Sequence, residues 1–318
     1  MEHEVECGGD AHEFGSRSRG QVISELEPFY ERVLARPGIV LLLGGIDAGN
    51  TTVAVELLRR GLASGLSVAL VDADVAQSTV GPPTTVGLRC PGPEELTRES
   101  LRVADELSFA GTITPRGHLL PLVAATSQLV AAALARGCDL VVVDTTSFVS
   151  GLYGQLLKYH KLQLTRPDYV LAFERGGELE PLVGIARRFT SAEVVEHNVG
   201  PDLPARTVEE RMVFREEQFA AYFAPGVSRW KVKPSVFMPT LPPEFDLALL
   251  DGIVVGMEDG RGSCAGIGVL EYDDAQNVLR MVSPVTHGVR GLRLGSVRIA
   301  TDGKSRGPVD FRNLFRTD

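Results

Sequence analysis

Residues Gly44 to Thr52 read GGIDAGNTT, a glycine-rich run whose backbone N–H groups could curl around phosphate oxygens. Gly44, Gly49 and Thr51 fall at the spacings of the pattern G-x-x-x-x-G-K-[ST]; Asn50 alone departs from it. In that pattern the Ser/Thr hydroxyl sits on Mg²⁺ and the lysine bridges the β- and γ-phosphates. Thr51 can do the first job. Asn50 offers only a neutral hydrogen bond where a charge-assisted one is roughly twice as strong. The chain holds five lysines, at 158, 161, 231, 233 and 304, so none lies near the loop in sequence to replace it. The stretch VDADVAQS adds carboxylates at Asp72 and Asp74, either able to hold Mg²⁺ through water or to take a proton from an attacking hydroxyl, with Gln77 as a substrate hydrogen-bonder. Asp144-Thr145-Thr146 supplies a third carboxylate and a hydroxyl for the metal shell or γ-phosphate, and Phe148 follows as a surface on which a base could stack.

These groups need a scaffold that brings them together, and the hydrophobic pattern predicts one. Ile39 to Leu43 is a continuous apolar run ending at Gly44-Gly45, the pattern of a buried parallel strand. Thr51 to Ala63 has a helical apolar face, and Ser67 to Val71 is a second apolar strand leading into Asp72. Further alternation follows: a helix over Thr126 to Ala135, a strand over Leu140 to Val143, strands at Tyr169 to Phe173 and Ala192 to Glu196, and a helix near Glu180 to Phe189. Residues 21–36 read as a short helix interrupted at Pro28. Such alternation predicts an α/β fold, a P-loop NTPase parallel sheet covered by helices on both faces. Ligands bind beyond the carboxyl ends of such strands, where Asp47, Asp74 and Asp144 all fall.

From about Pro234 the runs become β-type, with turn residues at Asp259-Gly260 and Asp273-Asp274, predicting a small C-terminal antiparallel β domain. The expected domains are therefore a polar disordered tail over 1–20, a P-loop α/β body over 21–233 and the β domain over 234–318. Near the end of the body, LPARTVEERMVFREEQFAAYF predicts a helix at about 203–223. Arg211 and Arg215 share one of its faces, and Arg206 lies near its start. Such a helix could act as a lid that brings arginines to a transferring phosphate, or lie solvated with its Arg and Glu residues paired. His118, in GHLLPL, reads as structural.

With a net charge of −9 the chain lacks the basic footprint of a protein that coats nucleic acid, although a few arginines could grip one strand end. No apolar run approaches the length of a membrane span, no signal peptide is evident, and the four scattered cysteines suggest neither zinc nor a disulfide framework. A cytoplasmic protein is expected.

Loop, DADVAQ, DTTSFVSG and arginine helix in this order resemble the polynucleotide 5′-hydroxyl kinases of RNA processing, in particular their compact prokaryotic-type members. The resemblance runs from about residue 35 to the C-terminus and includes GPPTTVGL (81–88) and GHLLPLVA (117–124). It implies transfer of the γ-phosphate of ATP to the 5′-hydroxyl end of RNA or DNA, with Mg²⁺. It also implies nucleotide binding by Gly44, Gly45, Ile46, Asp47, Ala48, Gly49, Asn50, Thr51 and Thr52, and metal ligation by Thr51 and Asp74. Asp74 would be the base, Gln77, Thr145 and Phe148 would contact substrate, and Arg206, Arg211 and Arg215 would be lid arginines. The chain departs from the family at Asn50, at Ala76 where glycine precedes the glutamine, and at Ser147 where glycine precedes the aromatic. Two other functions fit parts of the pattern. One is a catalytically inactive ATP-binding factor of the same fold. The other is a partition-type P-loop ATPase, which requires a lysine where this chain has Gly45.

Overall fold

The computed structural model describes residues 24–199 and 205–315; the tail expected over 1–20 and the first residues of the predicted lid lie outside them. The first layer comprises α1 (Glu27–Ala35), β1 (Ile39–Gly44), α2 (Asn50–Ala63), β2 (Val68–Ala73), β3 (Thr85–Arg89), α3 (Arg98–Leu101) and β4 (Glu106–Phe109). It continues through α4 (Leu119–Ala135), β5 (Leu140–Thr145), α5 (Gly151–Thr165), β6 (Tyr169–Glu174), α6 (Glu180–Phe189) and β7 (Glu193–Asn198). Ser24 and Glu25 are helical, the helix breaks at Leu26 and resumes as α1, so the interruption expected at Pro28 is present; Pro28 lies in the first turn of α1, where its missing N–H has no partner to lose.

The sheet order is β4-β3-β2-β5-β1-β6-β7, with β2, β5, β1, β6 and β7 parallel. Alternation within β1 shows why both faces are covered. Ile39, Leu41 and Leu43 pack in a layer with Leu122 and Leu129 of α4, Leu157 of α5 and Leu182 of α6. Val40 and Leu42 face Phe29 and Val33 of α1 and Leu57 of α2. An unbroken apolar strand therefore needs helices on two sides. β3 and β4 extend the edge antiparallel, a feature hidden in sequence by their shortness and by the Gly and Thr of GPPTTVGL.

After the lid helix α7 (Val208–Phe223) comes a second sheet of β8 (Ser228–Lys231), β9 (Phe237–Met238), β10 (Ile253–Glu258), β11 (Cys264–Asp273), β12 (Val278–Ser283), β13 (Gly291–Ile299) and β14 (Ser305–Pro308), closed by α8 (Phe311–Leu314). Its order is β14-β13-β10-β11-β12-β8, antiparallel throughout, with the short β9 added parallel to β13. β8 lies ahead of Pro234 and pairs with β12, so strand pairing in this sheet begins earlier than the change of sequence character. The two sheets share a core in which Phe109 of β4 packs with Phe219 and Phe223 of α7 and with Val254, Ile267 and Val297. Among the described residues no helix is long and apolar enough to cross a membrane.

Candidate active site

β1 ends at Gly44 and the chain turns through Gly49, at φ +101°, into the first turn of α2 at Asn50. That φ is open to glycine and strained for other residues. At Gly44 a Cβ would overlap the Oδ1 of Asn50 as it is placed. The Asn50 carboxamide is thus packed against the start of the loop, and its Oδ1 is buried without a hydrogen-bond partner. Asp47, at φ +50°, forms the outer bend of the loop. Three donors from Arg206 meet its carboxylate: the backbone N (2.7 Å to Oδ2), Nε (3.0 Å to Oδ1) and Nη2 (2.7 Å to Oδ1). Arg175 Nη2 donates to the Asp47 carbonyl (2.9 Å).

The parallel register sets Asp72 of β2 beside Asp144 of β5, and Ala73 beside Thr145. Thr51 Oγ1 donates to Asp144 Oδ2 (2.6 Å), joining the loop to the strand end. Burial pushes Asp144 up to about 6; the Thr51 hydrogen bond and the nearby Lys158 pull the other way, while Asp74 adds to the rise. Asp72 is 1% exposed and accepts from the backbone N–H groups of Asp74, Thr79 and Val80. Burial, followed by the Asp144 charge, raises it to about 8. All of Asp72's hydrogen bonds are spent shaping the turn that follows β2, whereas Asp74 opens onto the cleft and accepts from the N–H groups of Ala76 and Gln77. Of the two aspartates the sequence left open, Asp74 therefore stands where a substrate hydroxyl could reach.

A cleft of about 610 Å³ joins these parts. The loop from Gly45 to Thr52, Asp74, Gln77, Asp144, Thr145, Arg206 and Arg211 line it. Gly44 ends the strand just behind. Arg215 lies outside the lining, half-buried on α7 within the field of Asp74; burial lowers its affinity for the proton. Arg206 precedes the helix, because Thr207 caps it: Thr207 Oγ1 accepts from Glu210 N (3.1 Å) and Glu210 Oε2 accepts from Thr207 N (2.6 Å). Gln77 Nε2 donates to the Arg211 carbonyl (3.0 Å), which ties the turn after β2 to the lid. Thr145 Oγ1 donates to Leu42 O (2.7 Å) and accepts from Lys158 Nζ (2.7 Å). Phe148 is not among the residues that line the cleft: half-buried, it packs against the apolar layer beneath the sheet. His118 immediately precedes α4, away from the cleft, and burial lowers its pKa.

Oxygen donors at Thr51, Asp144 and Asp74 form a hard ligand set that suits Mg²⁺. Among the described residues no group of three or more His, Cys, Asp or Glu could hold a metal alone, so such an ion would also need phosphate oxygens.

Several cleft residues escaped the sequence reading: Arg98 and Arg102 on the segment between β3 and β4, and Phe214 and Gln218 on α7. The four-residue spacing of Arg98 and Arg102 in TRESLR was the available signal. Helix α5 was missed altogether, because Lys158 and Lys161 occupy inward positions where periodicity expects apolar residues.

Comparison with known proteins adds an independent line. The family model described as mRNA cleavage and polyadenylation factor CLP1 P-loop matches residues 44–225. The polyribonucleotide 5′-hydroxyl-kinase of Thermococcus kodakarensis is 28% identical over 327 aligned positions, covering 86% of this chain and 91% of that protein. That of Pyrococcus abyssi is 25% identical, covering 88% and 93%. Among solved structures, the wild-type Clp1p–Pcf11p complex superposes with a TM-score of 0.66 at 13% identity, covering 88% of this chain and 79% of the other, a likeness of fold.

Proposed function

Because the chain belongs to the CLP1 P-loop family, we propose that it is an ATP-dependent polynucleotide 5′-hydroxyl kinase, a phosphotransferase that moves the γ-phosphate of ATP to the 5′-OH of RNA. One observation carries this reading: a carboxylate with an accessible oxygen, Asp74, shares a cleft with the phosphate loop and with arginines of a lid. The loop N–H groups and the start of α2 hold the β- and γ-phosphates. Asp74 accepts the proton of the 5′-hydroxyl as its oxygen bonds to the γ-phosphorus and the bond to the ADP oxygen breaks. Gln77 orients the acceptor, and Arg206, Arg211 and Arg215 offset the charge that spreads over the transferring group. Thr51, Asp144 and Asp74, together with phosphate oxygens, would hold Mg²⁺, which would supply charge neutralisation at the phosphates.

Asn50 sets the expected rate. Neither Lys158 nor Lys161 lines the cleft, so no lysine replaces the missing charge. Removing one preorganised donor from a transition state typically lowers turnover about 10²–10³-fold. Phosphate transfer to a 5′-hydroxyl RNA oligonucleotide, measured for the native protein and for Asn50→Lys in parallel, tests the reading. The expected result is slow transfer by the native chain and a gain of about 10²-fold or more in the variant. Absence of transfer by both, with both folded, overturns it.

The buried, unpartnered Oδ1 of Asn50 favours a second reading, a catalytically inactive ATP-binding factor of the same fold. Calorimetric binding of ATP·Mg²⁺ by both proteins without turnover would establish that alternative. The partition-type ATPase finds no support, since Gly45 stands where its extra lysine belongs and the lid has no role in it.

A further inference from the structure

The kinase reading leaves unexplained a second group of cations in the same cleft. Arg98 opens α3 and Arg102 follows it, on the segment between β3 and β4, and both line the cavity. Arg98 Cζ lies 5.3 Å from the centroid of the Phe214 ring, and Arg206 Cζ lies 5.2 Å from that same centroid. A lid aromatic thus holds one guanidinium from each wall in place. Arg102 Nε is buried without a hydrogen-bond partner. Among the described residues neither Arg98 nor Arg102 pairs with a carboxylate, whereas Arg89, at the end of β3, binds both Glu95 and Asp105. Arg98 is exposed and Arg102 half-buried, so in a chain of net charge −9 two guanidinium groups stand open to an anion entering the cleft.

The position of these arginines identifies that anion. Phosphates of ATP belong to the loop after β1. Arg98 and Arg102 stand between β3 and β4, where the Arg102 carbonyl accepts from Gly81 N (3.0 Å) on the turn that also carries Asp74, the group placed to receive the acceptor's proton, so the anion they meet belongs to the acceptor. Beyond a reacting 5′-hydroxyl, the anions of an RNA strand are its phosphodiesters, which match the planar fork of a guanidinium. We propose that Arg98 and Arg102 form a phosphodiester subsite that grips the acceptor strand on the 3′ side of its reacting hydroxyl. The site is thereby selective for a strand over a nucleoside. This inference rests on the kinase reading and assigns its acceptor side.

Fluorescence anisotropy with a short single-stranded 5′-hydroxyl RNA tests it on the full chain, with calorimetric binding of a non-hydrolysable ATP analogue in parallel. Arg98→Ala/Arg102→Ala should weaken RNA binding about 10- to 100-fold, as removal of charged hydrogen bonds implies. The salt slope of log K should fall by about 0.7 for each phosphate that the variant no longer neutralises, and affinity for the ATP analogue should persist. Arg98→Lys should retain the salt slope and lose part of the affinity, because charge survives without the fork. Unchanged RNA affinity and salt slope in the double variant overturn the subsite and leave the kinase reading intact. A native protein that binds the ATP analogue and no RNA overturns both.

Discussion

Lys158 and Lys161 are fully buried on α5, beneath the carboxyl ends of β2 and β5. Lys158 donates to Thr145 Oγ1 and the Thr146 carbonyl, while Lys161 Nζ has no hydrogen-bond partner. Burial drives Lys161 down to about 8 from 10.5, against the opposing fields of Asp74, Asp72 and Asp144. Between those limits the unfolded chain binds more protons at this site than the folded one, so stability rises with pH across the window. That gain is lost as pH falls back through about 8. The shift corresponds to about 3 kcal/mol. Lys161→Met removes the titration, so the native protein should gain up to about 3 kcal/mol on the variant between pH 8 and 10. Urea midpoints of the two proteins at three pH values measure it; parallel curves would refute the assignment. This pair also marks where residue-level reading stops. Asp74 was legible because strand-end carboxylates in an α/β fold face the ligand side. The inward course of Lys158 and Lys161 was not, since a lysine in a helix is read as solvent-facing unless its partners are known. Phe148 packs on the core and does not line the cleft, as an aromatic beside a site more often does.

At the scale of elements, the lid helix depends on its first residue. The T-x-x-E cap at Thr207–Glu210 stops α7 at Val208 and leaves Arg206 outside the helix, free to reach Asp47. This cap was visible in the sequence and would have excluded Arg206 from the helix. Its pairing with Asp47, 159 residues away, was not, because nothing local selects that carboxylate over Glu209 or Glu210. The pair is partly exposed, at 41% for Arg206 and 16% for Asp47, so it contributes at most about 1 kcal/mol. An anion at the outer bend of a phosphate loop also opposes the ligand's charge. Asp47→Asn keeps a residue tolerant of φ +50° while removing both effects. ATP·Mg²⁺ should then bind about two- to five-fold more tightly, as a surface pair of this kind implies, and amide exchange at residues 206–211 should accelerate. Unchanged exchange there would mean that Arg206 does not hold the helix start.

Across the whole molecule, the second sheet acts as the lid's mooring. Phe219 and Phe223 are buried in the core shared by both sheets, Tyr222 Oη accepts from Ile267 N (2.9 Å), and Ser305 N donates to Glu216 Oε1 (2.9 Å). The far end of α7 is therefore fixed while its near end, with Arg211 and Phe214, overhangs the cleft. Sequence made the β domain legible through its turns and alternation, but the joint depends on packing between segments more than a hundred residues apart, such as Phe109 with Phe219. Gly303 tests the mooring. Its φ is +89°, and a Cβ there would overlap backbone atoms of Glu216 and Ala220, which cannot swing aside as a side-chain tip would. Gly307, at φ +96°, has nothing within 4 Å of its Cβ position and isolates the backbone strain. Gly307→Ala should destabilise by about 1–2 kcal/mol from strain alone. Gly303→Ala should add about 1–3 kcal/mol of overlap. It should also displace α7 and reduce phosphate transfer, or RNA binding where transfer is too slow to follow, while ATP binding at the loop survives. Thermal melts and the two binding assays separate these effects. Equal losses of stability and RNA binding in both variants would show that the second sheet does not position the lid through this turn.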